Sequence, residues 1–198
     1  MRVLDSISNG LQRFARKKYI ISLFIMFITI VALLELSPIG AFRLKEMSGG
    51  IGMLDMEFGY SQLQVYSLLD SIGAAGRQLY SRMLGLDFIF AVIFMLFQSL
   101  LLTVLLRKTA VNQYLQKLNI LPFVRSALDI VENIFLLVIL FNYPGHYPNI
   151  IKISSAITIL KWIVYYAIIT VAFTLGTLMS YQSILSKIQR KKCEVGGE

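Results

Sequence analysis

One cysteine and one histidine are present in 198 residues. Cys193 by itself cannot close an intrachain disulfide or form a C-x-x-C redox pair, and a lone His146 excludes bis-histidine haem ligation and His-rich metal sites. Carboxylates alone retain the capacity to hold Mg²⁺ or Ca²⁺, but no metal-ligand motif stands out and no cofactor is expected. Charge is also scarce, at 15% of residues against about 25% in a typical soluble domain. Acidic residues are the scarcer kind, 11 against 19 Lys and Arg, for a net charge of +8. Such a balance suits nucleic acid where basic residues interleave with stacking aromatics on one face. Here they gather at the ends of apolar runs, so no nucleic-acid partner is expected and their role is topological.

Apolar surface takes the place of charge: 57% of residues are hydrophobic and the mean hydropathy is +0.70. The expected fold is a single all-α membrane domain over residues 1–198, a four-transmembrane-helix bundle with an outer amphipathic helix. The first span, 19–36, follows the basic head Met1 to Lys18. It reads as uncleaved, because it exceeds the ~7–15-residue core of a signal peptide and the following Ser37-Pro38-Ile39-Gly40-Ala41 lacks an A-x-A site. The second span, 83–106, ends at Arg107-Lys108. Its helix is expected to begin near Ala74, giving a length of about 50 Å that exceeds the ~30 Å hydrocarbon core. The third, 118–141, carries Pro122 in its first turn, where a missing N–H is tolerated. Pro144, Gly145 and Pro148 make 142–149 a tight outer turn, and the fourth span, 150–181, ends in a tail with Lys187, Arg190, Lys191 and Lys192. The Lys and Arg asymmetry puts both termini and the connector between spans two and three in the cytoplasm, in what is expected to be a bacterial cytoplasmic membrane.

The outer loop, 37–82, is too long for simple connection. Ser48-Gly49-Gly50-Ile51-Gly52 is flexible, and Ser61 with Gln64 forms a capping box ahead of Leu63, Tyr66 and Leu69 at helical spacing. An interfacial helix over about 61–72 is predicted, stopped at Gly73 and lying across the mouth of the bundle.

The costly residues lie deeper. Ionisable side chains in hydrocarbon cost roughly 2.5–3.5 kcal/mol each on translocon scales, and they normally face a bundle interior or a wet cavity. Arg125, Asp129, Glu132 and Asn133 are spaced by four, three and one, which places them on one stripe of the third span. Ser154, Thr158, Lys161 and Tyr165 form a second stripe on the fourth. The short turn makes these helices antiparallel neighbours, with Glu132 and Lys161 at similar depth. Arg77, Tyr80 and Asp87 share one face of the second span, and Glu35 lies near the outer end of the first. A charged funnel opening outward is the expectation, with Asp87, Arg77 and Glu35 at its mouth. Asp129, Glu132, Asn133 and Lys161 would lie below. Asp129 and Glu132 exceed what Lys161 alone neutralises, so a carboxyl keeps its proton, Arg125 or Arg77 completes the balance, or a cation binds.

Leu54-Asp55, Gly59-Tyr60, Gly73, Gly76-Arg77, Tyr80 and Asp87, then Asp129-x-x-Glu132-Asn133 and Thr158-x-x-Lys161, resemble a pattern in uncharacterised bacterial four-span integral membrane proteins. That resemblance covers most of the chain and implies architecture and a site, with no reaction attached. The chain departs from the pattern at Ala91, where a proline is expected.

The leading functional expectation is binding, with processing an option, of a polar-headed lipid or small amphiphile. Ligand-binding candidates are Arg77, Tyr80, Asp87, Asp129, Glu132, Asn133, Thr158 and Lys161, and the acid/base candidates among them are Asp87, Asp129, Glu132 and Lys161. No nucleophile elbow or metal motif names a reaction, so enzymatic status is left open here. Packing is the simpler account of Tyr80, Trp162 and Tyr165. A structural or regulatory subunit glued by its polar stripes to its own helices, a homo-oligomer or a membrane partner is the competing account. Proton- or ion-coupled transport by an oligomer is the third. Membrane lipids are partners in every case.

Overall fold

The computed structural model describes residues 2–37, 40–109 and 111–195, and no strand occurs among them. The helices are α1 (Arg2–Phe14), α2 (Lys17–Leu36), α3 (Ala41–Met47), α4 (Gln62–Lys108), α5 (Gln113–Gln116), α6 (Leu121–Phe141) and α7 (Pro148–Val195), with short 3₁₀ turns at Leu54–Met56 and Lys117–Ile120. Three helices are long and apolar enough to cross a membrane: α2, α4 and the Pro148–Gln189 part of α7. The expected third span is α6, which begins at Leu121 with Pro122 in its first turn. It carries Arg125, Asp129 and Glu132, all buried, while Val124, Val131, Ile134 and Phe141 form its exposed face. Helix α7 continues past the expected end at Tyr181 as far as Val195.

The head is more than a basic leader. In α1, Ser8 and Leu11 are buried, and the helix is pinned to the far connector by Asp5 to Lys117 at 2.5 Å and by Gln12 Nε2 donating to Gln116 Oε1 at 3.0 Å. Arg107 Nη1 also donates to the Gln12 carbonyl at 3.3 Å. These contacts hold the N-terminal helix and the α4–α6 connector at one end of the molecule.

At the other end, the predicted capping box is present: Gln64 N–H donates to Ser61 Oγ at 3.2 Å, and Ser61 N–H donates to Gln64 Oε1 at 2.7 Å. The helix it starts is interrupted at Gly73, whose φ of 60° and ψ of −168° suit only glycine. The second segment then runs without another break to Lys108. The buried face of the first segment differs from the expected one. Val65, Leu68, Leu69 and Ile72 enter the core at i, i+3, i+4 and i+7, whereas Leu63 is 77% exposed. This stripe is wider than the Leu63, Tyr66, Leu69 row and buries more apolar area, so it decides the rotation of the helix.

The core is split. One apolar cluster joins Leu44, Leu54, Val65, Leu68, Tyr80, Leu84, Leu136 and Ile151, and a second joins Leu102, Leu106, Ile168 and Leu175. Between them along α4, α6 and α7 lies a buried polar layer containing Asp87, Ser126, Asp129, Glu132, Asn133, Ser154, Thr158 and Lys161. Helices α6 and α7 pack together most extensively, α4 packs on both, and α2 rests mainly on α4. Phe27 stacks on Phe94 and Phe97 with ring centroids 4.9 and 5.8 Å apart.

The break at Gly73 gives a direct test. Gly73→Ala places a side chain at positive φ and should cost about 1–3 kcal/mol. Gly85, helical and with open space at its Cβ position, should accept alanine with a gain near 1 kcal/mol. Thermal unfolding of the two variants in detergent reads the difference, and equal midpoints would refute a required break.

Candidate functional site

The polar layer is organised around the Lys161 ammonium. It lies 2.6 Å from Glu132 Oε2 and 3.0 Å from Asp129 Oδ1, and it donates to the Asp55 backbone carbonyl at 3.0 Å. Spacing alone brings the first two together, since both stripes face inward and the 142–149 turn sets the antiparallel register. Arg125 completes the charge pairing from one turn away, with Nη1 2.9 Å from Asp129 Oδ2. Relative exposures of 1% for Asp129, 0% for Glu132 and 3% for Lys161 put these charges out of water. Such pairs survive only when their remaining polar atoms are also satisfied.

The rest of the layer does this in part, leaving Arg125 Nε and Asn133 Oδ1 without a partner among the described residues. Thr158 Oγ1 donates to Glu132 Oε1 at 2.5 Å, and Asn133 Nδ2 donates to Asp87 Oδ2 at 2.7 Å. Ser126 Oγ donates to the Ala91 carbonyl at 3.0 Å. The peptide unit at position 91 is thus gripped by the neighbouring helix. Tyr60 Oη and Ser154 Oγ share a hydrogen bond of 2.6 Å.

The outer loop supplies a part that spacing did not reveal. Leu54–Met56 folds back onto the layer, its Leu54 N–H donating to Tyr80 Oη at 2.9 Å while Tyr80 Oη donates to Asp55 Oδ1 at 3.2 Å. Tyr60 N–H donates to Ser155 Oγ at 2.8 Å. Gly59, at φ 93°, lets the loop lie flat on α7, since a Cβ there would come within 2.9 Å of Ile159. Asp55 is buried in consequence. Burial pushes its carboxyl above the usual range, opposed by the Lys161 ammonium and reinforced by the neighbouring Asp129 charge. The signal for this docking was present in Leu54-Asp55 and Gly59-Tyr60, but nothing in a glycine-rich loop states which groups it will meet.

Two expectations about the mouth are corrected. Arg77 does not join the layer: its Nη1 donates to the Leu69 carbonyl at 2.9 Å and its guanidinium lies 4.4 Å from the Tyr143 ring centroid. That carbonyl lies in the last turn before the break at Gly73, and a cation there interacts favourably with the final carbonyls of a helix. Glu35 is exposed and lines a separate outer depression with Lys45 and Glu57. The opening expected at this end of the bundle is occupied by the Leu54–Met56 turn. Tyr80 holds that turn, and Asn133 and Thr158 orient the carboxylates of Asp87 and Glu132.

Open space lies to one side instead. A cavity of about 210 Å³ is lined by Asp55, Asp87, Arg125, Asp129 and Lys161 together with Phe27, Val31, Met56, Phe90, Phe94, Trp162 and Tyr165, with the Arg125 guanidinium lying over the Phe90 and Phe94 rings. Glu132, Thr158 and Ser154 are outside it. No family model, curated protein or solved structure matches the chain. Among the described residues no group of three or more His, Cys, Asp or Glu is placed to hold a metal ion.

Removing Lys161 strands two buried carboxylates, so Lys161→Met should cost about 3–5 kcal/mol, read as a fall in the unfolding midpoint; an unchanged midpoint would overturn its central place. For Asp55 the sign follows from its raised folded value: the folded protein holds the proton more tightly than the unfolded chain. Its contribution is therefore present at acid pH and lost as pH rises through that value. Asp55→Asn should flatten this decline relative to wild type, as measured by unfolding midpoints across a pH series. Parallel profiles would show that Asp55 does not titrate against the fold.

Proposed function

We propose that the protein is a four-span integral membrane protein that binds the headgroup of a polar-headed lipid or small amphiphile. The four spans are α2, α4, α6 and α7. Helix α6 is about 30 Å long at 1.5 Å per residue, and burial of Arg125, Asp129 and Glu132 leaves an apolar exterior. Both termini lie on the cytoplasmic side, in keeping with the basic clusters and with the α1 contacts to the connector near Lys117. The family resemblance carried by Asp55, Gly59-Tyr60, Asp87, Asp129-x-x-Glu132-Asn133 and Lys161 fits the same architecture.

The observation that carries the binding reading is the composition of the cavity. Its lining combines the ionisable side chains of Asp55, Asp87, Arg125, Asp129 and Lys161 with five aromatic rings, Val31 and Met56. Binding sites combine apolar walls with a few placed polar groups in this way. At about 210 Å³ the space is below the ~300–1,000 Å³ of pockets that enclose a whole drug-sized ligand. It suits a headgroup whose chains remain outside. Phe27 and Val31 of α2 and Trp162 and Tyr165 of α7 flank that side, and α2 packs chiefly on α4 while α7 packs chiefly on α6. Entry between α2 and α7 replaces entry through the outer mouth.

The dry layer beside the cavity favours a second role. Glu132, Thr158, Ser154 and Tyr60 are mutually bonded across α6, α7 and the loop, and they serve as interhelical glue. Glue and pocket are then two faces of one network.

Native mass spectrometry of the protein extracted from membranes tests the binding reading. Wild type should retain one amphiphile per chain. Val31→Trp, which fills the cavity from its apolar lining and leaves the charges untouched, should lose it while unfolding at a similar temperature. Retention unaffected by Val31→Trp, or no retention by wild type, would remove the pocket and leave the glue reading.

A further inference from the structure

The charges around the cavity do not balance. Asp55, Asp87, Asp129 and Glu132 supply four carboxyls to the network, against the two cations Arg125 and Lys161. Arg77, which could have supplied a third, is held at Leu69 and Tyr143. Lys161 and Arg125 are committed to Asp129 and Glu132. The two carboxyls left over, Asp55 and Asp87, both line the cavity. Each has one oxygen engaged, by Tyr80 and Asn133 respectively, and no cation pairs with either carboxyl among the described residues. In the empty cavity a retained proton, as at Asp55, can stand in for the missing cation; a positively charged occupant would replace that proton and pair with the carboxylates, and the donor set offers no metal site among the described residues. Aromatic rings line the same cavity, and such rings hold organic ammonium groups through their negative faces; Arg125 already lies over Phe90 and Phe94 and Lys161 over Trp162, which leaves Phe27 and Tyr165 for the occupant.

A second imbalance has the opposite sign. Arg125 Nε and Trp162 Nε1 are buried donors with no acceptor among the described residues, and both residues line the same cavity. Arg125 is 8% exposed. A buried donor left unpaired is costly, so these atoms call for an acceptor in the space beside them.

We infer that the occupant is zwitterionic, an aminophospholipid-type headgroup whose ammonium is received by Asp87 and Asp55 against Phe27 and Tyr165 and whose phosphate is received by Arg125 and Trp162. This rests on the amphiphile-binding reading above and specifies its chemistry. Arg77 is elsewhere, and Lys161 already faces three oxygen acceptors. The occupant's ammonium takes the part that a third basic side chain would otherwise play.

The test uses the full chain in detergent with two probes of matched acyl chains, phosphatidylethanolamine and phosphatidylglycerol, competed at equal concentration and read by native mass spectrometry. Wild type should prefer phosphatidylethanolamine by about tenfold or more, the scale of one charge-assisted hydrogen bond. Asp87→Asn keeps the size and an acceptor for Asn133 but removes the charge, and should bring the two probes to near parity. Trp162→Phe keeps the ring and removes the indole N–H, and should weaken both probes together. A wild-type preference for phosphatidylglycerol, or a preference unchanged in Asp87→Asn, would overturn the ammonium assignment while leaving amphiphile binding intact. Should neither probe be retained by wild type, or should retention survive Val31→Trp, both readings fall. Circular dichroism and unfolding midpoints confirm that each variant is folded, and Asp87→Glu, which restores the charge, should recover part of the preference.

Discussion

The Lys161 ammonium is the point on which the rest of the structure depends. It binds carboxylates of α6 on one side and a backbone carbonyl of the outer loop on the other, 2.6 Å from Glu132, 3.0 Å from Asp129 and 3.0 Å from the Asp55 oxygen. A single buried charge thereby fixes the register of α6 against α7 and the docking of a glycine-rich segment that has no regular ladder of its own. The cost of burying it is offset by acceptors on three sides. Those acceptors are held in turn by Thr158, Arg125 and the loop backbone. Loss of any member exposes the others to an environment that cannot solvate them.

The same layer serves two physical roles because its two sides meet different surroundings. Towards α6 and α7 it is dry and mutually satisfied, through Glu132, Thr158, Ser154 and Tyr60. Towards α2 it borders a cavity, and there Asp55 and Asp87 lack cations while Arg125 Nε and Trp162 Nε1 lack acceptors. A network built only as glue would close all its valences internally. Apart from Asn133 Oδ1, the unmatched groups of the layer among the described residues border the cavity, which is what a binding surface requires. Helix α2 gives that side a loose wall, since its contact with the bundle runs through stacked phenylalanines rather than interlocked polar groups.

Much of this was legible in the chain. The capping box at Ser61 and Gln64, the break at Gly73 and the pairing of the Asp129/Glu132 and Thr158/Lys161 stripes all rest on local spacing, and helical geometry converts spacing into direction. Other expectations failed for equally physical reasons. Arg77 shares a helical face with Tyr80 and was expected beside Asp87, but the Leu69 carbonyl in the last turn before Gly73 offered a nearer partner. Leu63 fits an amphipathic row, but the competing row through Val65 and Ile72 buries more apolar area. Asp55 was legible as part of a motif and illegible as a site residue, because loop docking depends on partners 25 and 106 positions away.

By itself, the sequence determined the helical class, the helices long and apolar enough to cross a membrane, the inward stripes of α6 and α7, and the scarcity of cations deep in the chain. These follow from composition and from the 3.6-residue period, which need no knowledge of neighbours. Only the tertiary structure decided that the expected mouth is filled by Leu54–Met56, that Asp55 is the fourth buried carboxyl among the described residues, and that the open space is lined jointly by the charged layer and by aromatic rings that include Phe27 of α2. Those outcomes depend on which distant groups compete successfully for a hydrogen bond or a packing face, and that competition is settled only when the helices are brought together.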